Sequence, residues 1–162
     1  MEFKTSLDKF TKITTVVVSL LLLSAIVIQF MVFKNNNYWI PRIASVFILV
    51  GFIFTLLYKP NAYTILSNQI IIHRYINNVV IEKTEIKSVT KIEKEELKGT
   101  FRLFGVGGLF GYYGKFSSFK MGAMTWYATR RNNYVLIITS SFKKIILTPD
   151  DPDDFVKEFY KM

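Results

Sequence analysis

Ile13 to Phe33 reads ITTVVVSLLLLSAIVIQFMVF, and Ile43 to Tyr58 reads IASVFILVGFIFTLLY. Neither stretch holds a charged residue. A helix needs roughly 20 predominantly apolar residues to cross the hydrocarbon core of a bilayer. The first stretch is that long by itself, and the second becomes so when Tyr38 to Arg42 is added. Two helices, about 13–33 and 40–58, are therefore expected to form a membrane hairpin within residues 1–60. A cleaved secretory signal is a poorer reading of the first. Its apolar region is too long, and the bulky Gln29 to Phe33 offers no small-residue cleavage site.

Tyr38 and Trp39 stand where interfacial aromatic residues belong. Pro41 suits a first helical turn, where its missing N–H costs nothing. Lys59-Pro60 is expected to end the second helix, because the residue before proline disfavours helical geometry. Lys4, Lys9 and Lys12 precede the first helix, Lys34 and Arg42 flank the gap, and Lys59 and Arg74 follow the second. That bias places both termini and the C-terminal domain on the cytoplasmic side of the inner membrane. Inside the spans, polar residues include Ser19, Ser24, Gln29, Ser45 and Thr55, beside Gly51, and neither apolar core holds Asp, Glu, Lys or His. Proton relays and ion paths usually need such ionisable groups, so a transporter or channel is disfavoured. Gln29 and Ser45 either bond between helices, bond to another copy, or are simply tolerated.

The chain has no Cys and one His, which excludes disulfides, thiolate sites, Cys nucleophiles and His-rich metal centres. His73 lies in an apolar run and reads as a structural or surface residue. No catalytic constellation, cofactor, metal or small-molecule substrate is expected. The formal charge of +9 is unevenly spread: Leu97 to Pro149 contains no Asp or Glu. Lys98, Arg102, Lys115, Lys120, Arg130, Arg131, Lys143 and Lys144 all fall inside it. Such a block beside a membrane reads first as a surface for anionic lipid, then as one for nucleic acid. A solvated basic face without a partner is an equally strong reading, and nucleic acid is the weakest of the three.

Residues 61–162 form the second domain. Short strands with turn signals between them are expected at Tyr63–Leu66, Gln69–Tyr75, Val79–Glu82, Tyr112–Phe119, Met124–Thr129, Val135–Thr139 and Lys143–Thr148. Ile86 to Ile92 leaves strand and helix open, and Glu93 to Glu96 reads as a solvated loop or strand end. The spacing suggests a sandwich or barrel. Thr148-Pro149-Asp150-Asp151-Pro152-Asp153-Asp154, followed by Phe155 and Phe159, signals a helix over 150–162. It is expected to cover an open end of the barrel. Its acids lack the Gly and distal Glu of an EF-hand loop, so capping is preferred to calcium binding.

Phe104 to Phe116 reads FGVGGLFGYYGKF. It fails as a phosphate loop, because Leu109 and Phe116 occupy the required Gly and Ser/Thr positions. It fails as a dinucleotide fingerprint, because Phe110 stands where the third glycine is needed. Leu109, Phe110, Tyr112 and Tyr113 either dip into the lipid interface near the hairpin or tuck into the barrel.

The pieces Arg102–Gly105, Gly108–Gly114, Tyr127–Thr129, Val135–Ile137 and Thr148–Pro152, in this order, resemble the bacterial pleckstrin-homology-like domains. The resemblance covers about Asn61 to Met162. It implies a partly open barrel of seven strands in two near-orthogonal sheets with a C-terminal capping helix. It also implies binding of lipids, peptides or proteins rather than catalysis. Eukaryotic lipid-binding members use basic residues around the first inter-strand loop; here that loop is the short, uncharged Leu66-Ser67-Asn68-Gln69. The function expected is a membrane-anchored interaction module, and the alternative is an accessory subunit acting through its helices. Contact candidates are the eight basic residues above with Leu109, Phe110, Tyr112 and Tyr113. The partner is an anionic lipid, a protein or a second copy.

Overall fold

The computed structural model describes residues 1–32 and 39–161. Phe33, Lys34 and Tyr38, at the gap and in the expected aromatic belt, lie outside the described residues. Helix α1 (Lys9–Val32) and helix α2 (Trp39–Leu57) are both long and apolar enough to cross a membrane. They expose apolar side chains almost all round, from Val16 and Leu20 to Ile48 and Phe54. A helix apolar on every face must be covered by protein or lipid, and the other described residues do not cover these. Membrane association follows. The Ser45 hydroxyl donates to Gln29 Oε1, so those two polar groups pair between the helices.

The β domain is built from two open sheets. The first has the order β1 (Glu2–Lys4), β2 (Pro60–Ile65), β3 (Gln69–Arg74), β4 (Val79–Glu82). The second runs β5 (Ile86–Ile92), β9 (Tyr134–Thr139), β10 (Lys144–Leu147), β8 (Gly122–Ala128), β7 (Tyr112–Ser118), β6 (Phe101–Gly107). All neighbours are antiparallel except β8 and β10. Helix α3 (Pro152–Lys161) packs on β5 and β9. The partly open barrel with a terminal helix is thus as expected, but ten strands occur among the described residues where the resemblance implied seven.

One added strand precedes the hairpin. Glu2–Lys4 pairs antiparallel with Ala62–Thr64, and the Met1 ammonium donates to the Ile65 carbonyl at 2.6 Å. The Phe3 ring meets Phe155 of α3 edge to face at 5.0 Å. The first core joins Phe3, Tyr63, Ile72, Val89, Ile137 and Phe155 between the sheets and α3. The Tyr63 hydroxyl donates to the Tyr127 carbonyl at 2.6 Å and so ties one sheet to the other. The second core, on the opposite face of the larger sheet, stacks Phe116 on Trp126 at 4.7 Å, with Tyr134 edge-on at 5.7 Å.

Another strand not expected is β6. Its glycines permit it: Gly105 and Gly114 are cross-strand partners, with φ of 113° and 124°. A Cβ on Gly105 would lie 2.3 Å from the Tyr113 carbonyl oxygen, and one on Gly114 would lie 2.4 Å from that of Phe104. Only glycine fits both places. Glu93 to Glu96 is a largely exposed segment at the end of β5, as expected, and it is ordered as a 3-10 turn (Lys94–Leu97) with a capping box between Glu93 and Glu96. Ile86 to Ile92 resolves as strand. In α3, Asp151 Oδ1 accepts the Asp154 N–H at 3.0 Å, the capping role expected of the acidic run.

Candidate functional site

The hairpin enters and leaves the β domain through a dense set of polar bonds. Asp150 accepts both the N–H and the hydroxyl of Ser6, at 2.8 and 2.7 Å, and pairs with Arg130. Arg130 Nε also donates to the Ser6 carbonyl at 3.0 Å. Asp8 Oδ1 caps α1 by accepting the Thr11 N–H at 2.7 Å, while Oδ2 accepts the Arg131 N–H at 3.0 Å. The Arg131 guanidinium lies over Phe10 at 4.9 Å and over Tyr112 at 4.8 Å. At the other helix, the Ile76 N–H donates to the Leu57 carbonyl at 3.2 Å.

The glycine-aromatic turn reaches further along the hairpin. Gly108 N–H bonds the Gly111 carbonyl at 2.8 Å and leaves Leu109 and Phe110 at the tip between β6 and β7. Phe110 has φ 57°, a strained conformation for an aromatic residue. The hairpin holds it there. Its N–H donates to Thr15 Oγ1 at 3.0 Å, and its ring meets Phe52 edge to face at 5.2 Å. The Tyr113 hydroxyl donates to the Thr55 carbonyl, and burial pushes this phenol well above its ordinary pKa. Thr15 lies six residues into α1, about 9 Å along its axis at 1.5 Å per residue. The tip therefore stands beyond Lys12, the last charged residue before the apolar run. The two readings divide by residue: Phe110 and Tyr113 pack against the chain's own helices, and Tyr112 tucks into the second core of the β domain.

The opposite end of the β6–β7 ribbon is bare. Phe119 is 98% exposed with the exposed Phe101 against it; Phe104, mid-ribbon opposite Lys115, is 79% exposed, and Leu103 and Phe142 are exposed too. Lys115, Lys143 and Lys144 share a surface groove with Leu103 and Phe142. Lys115 Nζ donates to Thr125 Oγ1 at 2.8 Å and Lys144 Nζ to the Met121 carbonyl at 2.5 Å, so both are oriented by the sheet. Arg102 and Lys120 are exposed, and Arg102 lies along Gly107. Lys98 and Arg131 instead share a separate cavity of about 590 Å³ with Trp126 and Tyr134. The eight cations thus divide. Arg130 is taken up by Asp150 and contributes to the junction; Lys115, Lys143 and Lys144 share the groove; Arg102 and Lys120 are exposed outside it; Lys98 and Arg131 line the cavity.

His73 shares a 2.8 Å bond with the Thr64 hydroxyl across β2 and β3, a structural place. Asp8, Phe10, Thr15 and Phe52 carry the junction and were not among the sequence candidates. Thr15, a polar residue inside an apolar run, was the only local signal for them.

A family model described as bacterial PH domain matches residues 61–162, more than half of the chain. The chain belongs to the bacterial PH domain family. No curated protein and no solved structure matches it. Family membership identifies a PH-like domain of generally non-catalytic, interaction-module type.

Proposed function

We propose that the chain is a membrane-anchored interaction module. Its β domain sits on the cytoplasmic face of the inner membrane and presents a basic, aromatic face to anionic lipid headgroups. The observation that carries this reading is the fastening of the domain to both helices, with Phe110 level with Thr15 and Phe52. A domain so fastened cannot roam, and its cations stay at one height above the bilayer. Each Lys or Arg held near an anionic surface contributes about 1 kcal/mol, decaying within a Debye length of about 10 Å. Exposed aromatic rings such as Phe119 favour the same interfacial zone. The internal pairing of Gln29 with Ser45 satisfies two of the three residues that favour a helix-mediated accessory subunit and leaves Gly51 open.

The absence of Cys makes the test direct. Single-Cys variants at Phe119 and Phe142 carry a fluorophore in nanodiscs containing a lipid-borne quencher. Quenching that rises with phosphatidylglycerol content and falls with salt supports headgroup contact. Quenching indifferent to lipid charge contradicts it and favours a protein partner, to be sought by crosslinking in native membranes.

A further inference from the structure

The β6–β7 turn meets the hairpin below the level of the last charges. Lys12 is the last charged residue before the apolar run of α1, and Lys59 is the first after that of α2. At 1.5 Å per residue, Thr15 stands about 5 Å inward of Lys12 and Phe52 about 10 Å inward of Lys59. Phe110 meets both, Thr15 through its N–H and Phe52 through its ring. The turn carries no charge of its own: Leu103 to Gly114 contains no Asp, Glu, Lys or Arg.

The flanking cations stop where the turn begins. Arg131 lies over Phe10, and a Cβ on Gly108 would lie 3.3 Å from the Phe10 ring. Arg102 runs along Gly107. At the other helix, Lys59 lies over Tyr75 at 6.0 Å and Arg74 over Tyr58 at 5.2 Å, beside the bond from Ile76 to Leu57. Cations and aromatic rings at both helix ends mark the level of a bilayer interface. Phe110 and its neighbour Leu109 lie beyond that level, on the hydrocarbon side.

The backbone of the turn suits this depth. Non-helical backbone enters hydrocarbon only where protein covers its polar groups. Gly108 and Gly111 are buried and bond each other, and the Phe110 N–H is taken by Thr15. Leu109 is left partly exposed, beside helices whose own apolar side chains are bare. Its surface is continuous with the lipid-facing surface of the hairpin.

We propose that the β6–β7 turn is a re-entrant membrane element, with Leu109 among the lipid acyl chains and Phe110 bridging the two helices. Hydrocarbon is what covers Leu109, so the contact is independent of headgroup charge. The proposal rests on the module reading only for the hairpin's crossing of a bilayer.

The test uses the full chain, which has no other Cys, in nanodiscs. Leu109→Cys carries a fluorophore; the contacts to Thr15 and Phe52 belong to Phe110 and stay in place. Lys157→Cys, at an exposed position of α3, is the aqueous reference. The quenchers are a lipid with a nitroxide high on its acyl chain and, separately, aqueous iodide. The ratio of lipid to iodide quenching should be several-fold higher at Leu109 than at Lys157, in neutral and phosphatidylglycerol-rich discs alike. Equal ratios at the two sites overturn the proposal. Leu109→Asp gives a second readout. A carboxylate at acyl-chain depth should expel the turn and speed exchange of the Phe110 amide about tenfold. An unchanged exchange rate also overturns the proposal. The Phe119 label reports separately on headgroup contact. If it responds to lipid charge while Leu109 is aqueous, the module reading survives and the embedded turn is lost.

Discussion

The two ends of the β6–β7 ribbon are made of the same residue types and behave oppositely. At one end Phe110 and Tyr113 sit among glycines, Phe110 held by Thr15 and Phe52 and Tyr113 by Thr55 of the helix pair. At the other end Phe101 and Phe119 touch chiefly each other, with ring centroids 6.3 Å apart, and Phe119 is almost wholly exposed. The difference teaches that a glycine-aromatic composition does not announce a binding surface. The end that looks most like a binding loop is occupied by the protein's own anchor. The plainer end is the one left to meet something else.

The largest effect is expected from removing the ribbon itself. Gly114→Ala places a Cβ against the Phe104 carbonyl at a positive φ, and the combined clash and strain should cost on the order of 3 kcal/mol. A thermal unfolding midpoint several degrees lower in detergent would report it, and an unchanged midpoint would contradict the tight Gly105–Gly114 crossing. Phe110→Ala should come next, losing about 1–3 kcal/mol of buried apolar and edge-to-face contact. Hydrogen exchange should then accelerate at the turn and leave β9 and β10 unchanged. Tyr113→Phe removes one bond to the Thr55 carbonyl, for a loss of about 1 kcal/mol read by denaturant midpoint. Phe119→Ser should be smallest, within about 0.5 kcal/mol in stability. A stability loss at Phe119 comparable to that at Phe110 would erase the contrast between the two ends.

The legibility of the fold follows the range of its contacts. Strands such as Gln69–Arg74 and Val79–Glu82 stand out because β-branched residues lie between Asn-rich turns. The α3 start is legible because capping is local: Asp151 and Pro152 announce it within a few residues. β6 is hidden because Gly105 and Gly107 lower strand propensity, and the need for glycine is visible only across the ladder. β1 is hidden because three residues cannot show alternation and their partner strand lies beyond the whole hairpin. At the site, the basic residues were readable as a block, but their division was not. Arg130 is drawn off by Asp150, and Arg131 is drawn to Phe10 at the far end of the sequence.

The fastening of the β domain to the hairpin is the centre of this account, and disulfide trapping tests it most directly. A Thr15→Cys, Phe110→Cys double variant, in a chain without other cysteines, is oxidised mildly in native membranes. The 3.0 Å bond from the Phe110 N–H to the Thr15 hydroxyl holds the two positions side by side and predicts intramolecular crosslinking well above that of a freely tethered domain. Failure to crosslink while both thiols remain reactive would contradict the account and return the domain to the end of a free tether.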